Sequence, residues 1–170
     1  MKRVIILLSI FILVICTDKE KDYITIPNDS IRIRVIANSN NLEDQVLKLK
    51  VKDNVENILY KELKNVKTIE KAREKIKKSI PKLEKNIEET INNDNYDINY
   101  GLNYFPQKEM YGIEYSEGNY ESLVINIGEA KGNNWWCVLF PPICMIDIED
   151  NNKNKVEYKS KVLEIIKEYS

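Results

Sequence analysis

The chain contains no histidine. That absence removes the usual general base near neutral pH, the commonest metal ligand, and every Ser–His or Cys–His nucleophilic pair. Glycine is scarce, at 5 residues in 170, and Gly128 and Gly132 flank a Glu-Ala-Lys step with no Gly-Lys-Ser/Thr ending, so there is no phosphate loop. The pair reads instead as a turn that uses positive φ. Neither charge sign dominates: 26 Lys and Arg against 27 Asp and Glu leave a net charge of -1. No global basic field is present to gather nucleic acid. Three cysteines without histidine or a second Cys pair do not make up a zinc set. No cofactor or metal is expected.

What is present is uneven in its distribution. The stretch Gly128–Cys144, GEAKGNNWWCVLFPPIC, holds both tryptophans, two of the three cysteines and two of the five prolines. The remainder is rich in Lys, Glu, Asn and Ile. At 43% hydrophobic residues, a chain of this length supports one core.

Lys2 and Arg3 precede an apolar run from Val4 to Cys16. As a helix this run reaches roughly 20 Å, short of a bilayer's hydrocarbon core. Residues 1–17 are therefore expected to be a signal peptide, or failing cleavage an anchor, and 18–29 a linker into a single domain over 30–170.

Ile31–Ala37 alternates as a strand with Ile31, Ile33 and Val35 buried and with Arg32 and Arg34 on a solvated face. Asn40 and Glu43 resemble a capping box for a helix from Leu42 to about Asn65. That helix has two apolar faces: Leu47, Val51, Val55, Ile58 and Leu59 on one, and Leu42, Val46, Leu49, Tyr60 and Leu63 on the other. Two faces mean two packing neighbours or one face left for a partner. Asp53 and Glu56 on this helix read as solvated or Lys-paired carboxylates. Ile69–Ile91 carries a narrow apolar stripe, and Pro81 makes it a kinked helix or two helices meeting near Ser79. Tyr96–Tyr104 alternates strictly and is the clearest strand. Short strands follow at Tyr111–Tyr115, Tyr120–Gly128 and Trp135–Phe140, then a helix over Val156–Tyr169. Strand, helices and a run of strands predict an α+β fold with helices on one face of an antiparallel sheet.

Trp135 and Trp136 point to opposite faces of their strand, so one joins the core, and the other is either covered by a loop or exposed to a partner or a sugar. Pro141–Pro142 can turn the chain so that Cys137 and Cys144 meet as a disulfide; loss of Cys16 with a signal peptide would leave an even cysteine count. The alternative is two buried thiols.

Ile31–Asp53 (IRIRVIANSNNLEDQVLKLKVKD) and Asn134–Pro142 (NWWCVLFPP), with Tyr104–Phe105–Pro106 and Tyr120–Gly128, resemble the stage II sporulation protein R family of endospore-forming bacteria. The resemblance implies a signalling protein rather than an enzyme. Such proteins are made in the forespore and exported into the space between the forespore and mother-cell membranes. There they activate a membrane-embedded protease of the mother cell, which cleaves the pro-form of an early sigma factor. On this reading the partner-binding candidates are Arg34, Asn38, Ser39, Asp44 and Gln45 in the first block. In the second they are Asn133, Asn134, Trp135, Trp136, Phe140, Pro141 and Pro142. A different class of function, an exported cell-wall-binding or cell-wall-modifying protein, would use Trp135 or Trp136 against sugar.

Overall fold

The computed structural model describes residues 24–92, 95–110, 113–144 and 155–169. The apolar run that was expected to act as a signal segment lies outside them. Alternating apolar residues set the strands: β1 (Ile24–Thr25), β2 (Ile31–Ile36), β3 (Tyr96–Phe105), β4 (Lys108–Met110), β5 (Ile113–Tyr115), β6 (Gly118–Ile127) and β7 (Asn134–Phe140). Helical spacing sets α1 (Leu42–Leu63), α2 (Ile69–Ile91) and α3 (Lys155–Tyr169). The fold is α+β, as expected.

The main sheet has the order β3-β6-β2-β7. Its outer pairs, β3 with β6 and β2 with β7, are antiparallel. The central pair, β2 with β6, is parallel, from Arg32 opposite Ser122 to Ile36 opposite Asn126. The sheet is therefore mixed rather than antiparallel throughout. The parallel pair is possible because α1, α2 and β3 carry the chain from one end of the sheet back to the other.

Period-two alternation sends Ile31, Ile33, Val35, Leu123, Ile125, Ile127, Cys137 and Leu139 to one face. There they meet Val51, Val55 and Leu59 of α1 and Ile76, Leu83 and Ile87 of α2. The α1 face predicted to be buried is buried, and α2 is one continuous helix despite Pro81. Thr68 caps it by accepting from the Lys71 N–H, and the Ser79 hydroxyl donates to the Lys75 carbonyl one turn before. The expected capping box at α1 does not form. Asn41 occupies the N-cap without a side-chain bond, and Asn40 serves a tertiary contact described below.

The opposite face is not solvated. A small sheet, β1-β5-β4, covers it together with α3, so only two of the three helices share the first face. Phe105, Tyr120, Trp136 and Val138 from the main sheet pack there with Ile24, Ile26, Ile113, Tyr115, Ile143, Tyr158 and Val162. The described part of the segment expected to be a linker thus belongs to the fold: Ile24–Thr25 pairs in parallel with Ile113–Glu114, and Ile26 is buried.

Burial of this second face overturns the expectation for Arg32. Its side chain is fully buried, with the guanidinium carbon 3.3 Å from the centre of the Tyr120 ring. Phe105 and Trp136 stand at 5.3 and 5.5 Å. By geometry none of its three nitrogens has a hydrogen-bond partner among the described residues, so the surrounding π faces are the main support for the charge. Burial pushes its pKa down, opposed by the Tyr120 phenol. Arg34 is half-buried beside it, 4.1 Å from the Phe105 ring, and donates to the Tyr104 carbonyl.

Candidate functional site

The two blocks of sequence singled out above meet at one end of the main sheet. β2 ends at Ile36, and residues 37–41 cross to the start of α1. β6 ends at Ile127, and Gly128 turns the chain with φ 57° toward β7. Because β2 and β6 run parallel, both strands deliver their following loops to the same end. The loops are laced together. Gly132 N–H donates to the Ala37 carbonyl (2.9 Å) and Lys131 N–H to that of Asn38 (3.0 Å). Glu129 N–H donates to Asn38 Oδ1 at 2.9 Å, and Asn133 N–H to Asn40 Oδ1 at 2.7 Å.

Helix α1 completes this knot. Asp44 accepts from Asn38 Nδ2 (2.9 Å) and from the Ser39 hydroxyl (2.5 Å). Those bonds, Ser39 first, hold its carboxyl below the usual aspartate range. Gln45 Nε2 donates to the Ser39 carbonyl. Lys48 is buried, and its ammonium donates to Gln45 Oε1 (2.7 Å) and the Asn133 carbonyl (3.3 Å); burial pushes its pKa down. Gly132 is required by proximity, since a Cβ there would sit 2.6 Å from the Ser39 carbonyl carbon. A Cβ on Gly128 would sit 2.7 Å from Asn38 Cγ. An open cavity of about 300 Å3 lies beside the knot, lined by Asn38, Asp44, Asn95, Ile127, Gly128 and Glu129.

Asn38, Ser39, Asp44 and Gln45 are thus half-buried framework of the knot, while Asn133 and Asn134 are exposed on its rim. The rest of the second block behaves differently. Trp136 is 4% exposed and stands edge-on to Phe105 and Tyr115 at 5.5 and 5.0 Å. Trp135 is half-buried against the main core with the Lys52 ammonium 5.4 Å from its ring. Neither tryptophan is an exposed platform, because each face of the sheet has its own cover. Phe140 and Pro141 are buried as well, and Pro142 is half-buried. Phe140 meets the Tyr169 ring edge-on at 5.2 Å, and the bond into Pro141 is cis. These residues shape the fold, and of them only Trp135 and Pro142 keep part of their surface open.

Cys137 and Cys144 are joined as a disulfide, with Cα atoms 5.7 Å apart. Both are buried, and the bond ties β7 to the turn after Pro142. Removing it through a Cys137→Ala, Cys144→Ala double variant is expected to cost about 2–3 kcal/mol, from loop closure alone. Thermal melting of the oxidised wild type against the variant measures this. An unchanged midpoint would contradict the assignment.

Sequence periodicity left the second apolar face of α1 without a stated neighbour. Tyr60 and Leu63 join the core, but Leu42, Val46 and Leu49 are 79%, 42% and 48% exposed. At spacings of four and three they form one stripe over the first two turns of α1, turned away from the side that carries Asp44 and Lys48 into the knot. Scattered exposed apolar residues are ordinary; three in register on one helix face are the pattern of a contact surface.

Nothing in this arrangement resembles a reaction centre. Among the described residues no group of three or more His, Cys, Asp or Glu is placed to hold a metal. None of the helices among them is long and apolar enough to cross a membrane.

Residues 27–150 match the family model described as stage II sporulation protein R, which takes in both blocks of the knot. The chain belongs to the stage II sporulation protein R family. Stage II sporulation protein R of Bacillus subtilis (strain 168) is 32% identical over 140 residues, which is 80% of this chain. The matched region spans 62% of that relative's length. No solved structure matches. The matched span contains all the residues that bind the two loops to α1.

Proposed function

We propose that this chain is an exported sporulation signal that acts as a ligand: it activates a membrane-embedded protease of the mother cell by binding the protease's outward-facing part. The proteolysis it triggers removes the inhibitory pro-sequence of an early mother-cell sigma factor. It works in the space between the forespore and mother-cell membranes and is not itself an enzyme. The observation that carries this reading is the exposed Leu42–Val46–Leu49 stripe, on the helix whose first turns are tied into the loop knot. Apolar side chains left exposed together on one helix face are a common feature of protein-binding surfaces. The apolar run after Lys2–Arg3 supports export independently.

The test is co-expression in a host that does not sporulate. Full chain, protease and pro-sigma substrate are expected to give processed sigma factor. Leaving out the chain, or residues 1–17 alone, is expected to leave the substrate intact. Processing that is equally efficient without the chain would sink the proposal. So would retention of the chain by purified peptidoglycan together with failure to bind membranes carrying the protease.

A further inference from the structure

The main sheet has two edges, and they are built differently. β7 is 7 residues long, its pairing with β2 shifts register between Ile31 and Arg32, and Pro141–Pro142 ends it. These are devices that keep an edge from recruiting another strand. β3, at the other edge, has none of them. It is 10 residues long and pairs with β6 in unbroken register from Tyr96 opposite Ile127 to Phe105 opposite Gly118. It contains no Pro, Lys or Arg, and its one charge is Asp97 near the start. At about 3.4 Å per residue it presents roughly 34 Å of outer edge, with no strand of the main sheet beyond it among the described residues.

The side chains of β3 add to this. Tyr96 and Tyr100 are tied down: Tyr96 donates to Glu88, and Tyr100 to Glu121, which also holds Arg73. Further along the same face, Leu102 and Tyr104 are 77% and 56% exposed. The exposed pair lies on the part of the edge that carries no charge, where a second strand can dock and cover it.

We propose that β3 is a homodimer interface, formed by antiparallel pairing with β3 of a second copy of this chain about a two-fold axis at Leu102. A two-fold contact must be self-complementary. In this register Leu102 faces Leu102 of the second copy, and Tyr100 faces Tyr104 in both directions. Residues directly opposite in an antiparallel pair point to the same side, so the exposed apolar groups of both copies cover each other. The paired span, residues 99–105, has no charged side chain of its own; Tyr104 donates to Glu117, and the Glu121 carboxylate that Tyr100 donates to is neutralised by Arg73. Two four-stranded sheets become one of eight strands. This inference goes beyond the signalling role and stands whether or not that role is correct.

The register can be read directly. In either hydrogen-bonding phase, residues opposite each other have Cα atoms about 4.5–5.5 Å apart, within disulfide reach. In full-length protein from an exporting host, carrying Cys16→Ser, Leu102→Cys is expected to oxidise to a covalent dimer. Leu49→Cys, which is exposed on α1 away from this edge, is the control. Roughly ten-fold more dimer is expected at 102 than at 49, given the reach a disulfide requires. Equal yields at the two positions would overturn the proposal. Independently, Leu102→Lys sets two ammonium groups against each other and should weaken association by roughly 100-fold in sedimentation. Its monomer should still fold, with the far-UV circular dichroism of the wild type, because the side chain is exposed in the single chain. Wild type that sediments as a monomer, or a Leu102→Lys variant that associates like wild type, would also refute it.

Discussion

Truncating Trp136 to alanine is expected to destabilise the protein by about 4 kcal/mol, in the range measured for buried Trp-to-Ala changes. The ring is 4% exposed and sits between Phe105 and Tyr115, with the Arg32 guanidinium 5.5 Å away. Its loss opens a cavity in the core that joins the main sheet to the small one. It also removes one of the three π faces that hold a buried charge with no anionic partner. For a domain of this size the shift corresponds to roughly 10 °C or more in melting temperature. Trp135→Ala should cost less, about 1–2 kcal/mol, because that ring is only half-buried. Side-by-side thermal melts measure both. If Trp136→Ala melted like the wild type and lost only partner binding, the tryptophan would be a surface residue, and the assigned packing would be wrong.

The second large effect is on signalling rather than stability. Leu42→Asp combined with Leu49→Asp places charge on an exposed stripe at the N-terminal turns of α1. At position 42 the helix dipole favours Asp; position 49 lies past the first turn, but both side chains are exposed, so stability should change by no more than about 1 kcal/mol. If the stripe is the apolar centre of the partner interface, each substitution costs binding as a hot-spot change does, about 2 kcal/mol or more. Together they should lower processing of the pro-sigma substrate by roughly 100-fold or more when the ligand is limiting. Lys50→Ala, on the same helix with an exposed side chain, should leave processing nearly unchanged. Equal processing by the double variant and the wild type would move the interface elsewhere.

Much of the main layer follows from local pattern. The buried face of α1, the alternation of β3, and the strand from Trp135 to Phe140 are period-3.6 and period-2 signals. The parallel pairing of β2 with β6 is not, since alternation fixes which face a side chain takes and says nothing of strand direction. The same limit explains Arg32. Ile31–Arg32–Ile33–Arg34 places the arginines opposite the isoleucines correctly. Whether that second face meets water depends on β1, β4, β5 and α3. The three strands are two or three residues long and carry almost no pattern of their own. With the face covered, the choice left open for the second tryptophan falls on the covered side: both rings are packed, from opposite faces.

The two motif blocks were visible as sequence, but their meeting was not. Asn40 reads as a helix cap and instead accepts from Asn133, 93 residues away. Gly132 reads as a turn glycine with positive φ, and is required because the Ser39 backbone passes too close for a Cβ. Gly128 does turn the chain with positive φ, as its sequence context predicts. The stripe at Leu42, Val46 and Leu49 was half legible: the helical wheel shows a second apolar face, and only the fold shows that its first two turns stay uncovered.

The central claim, that the knot and its stripe form a ligand surface for the protease, is tested most directly by binding. Full chain, labelled and titrated onto membranes containing the protease, should bind saturably, and membranes lacking the protease should not retain it. The Leu42→Asp, Leu49→Asp variant, shown by its melt to be folded, should lose that binding. Saturable binding by wild type and variant alike, or no difference between membranes with and without the protease, would contradict the account.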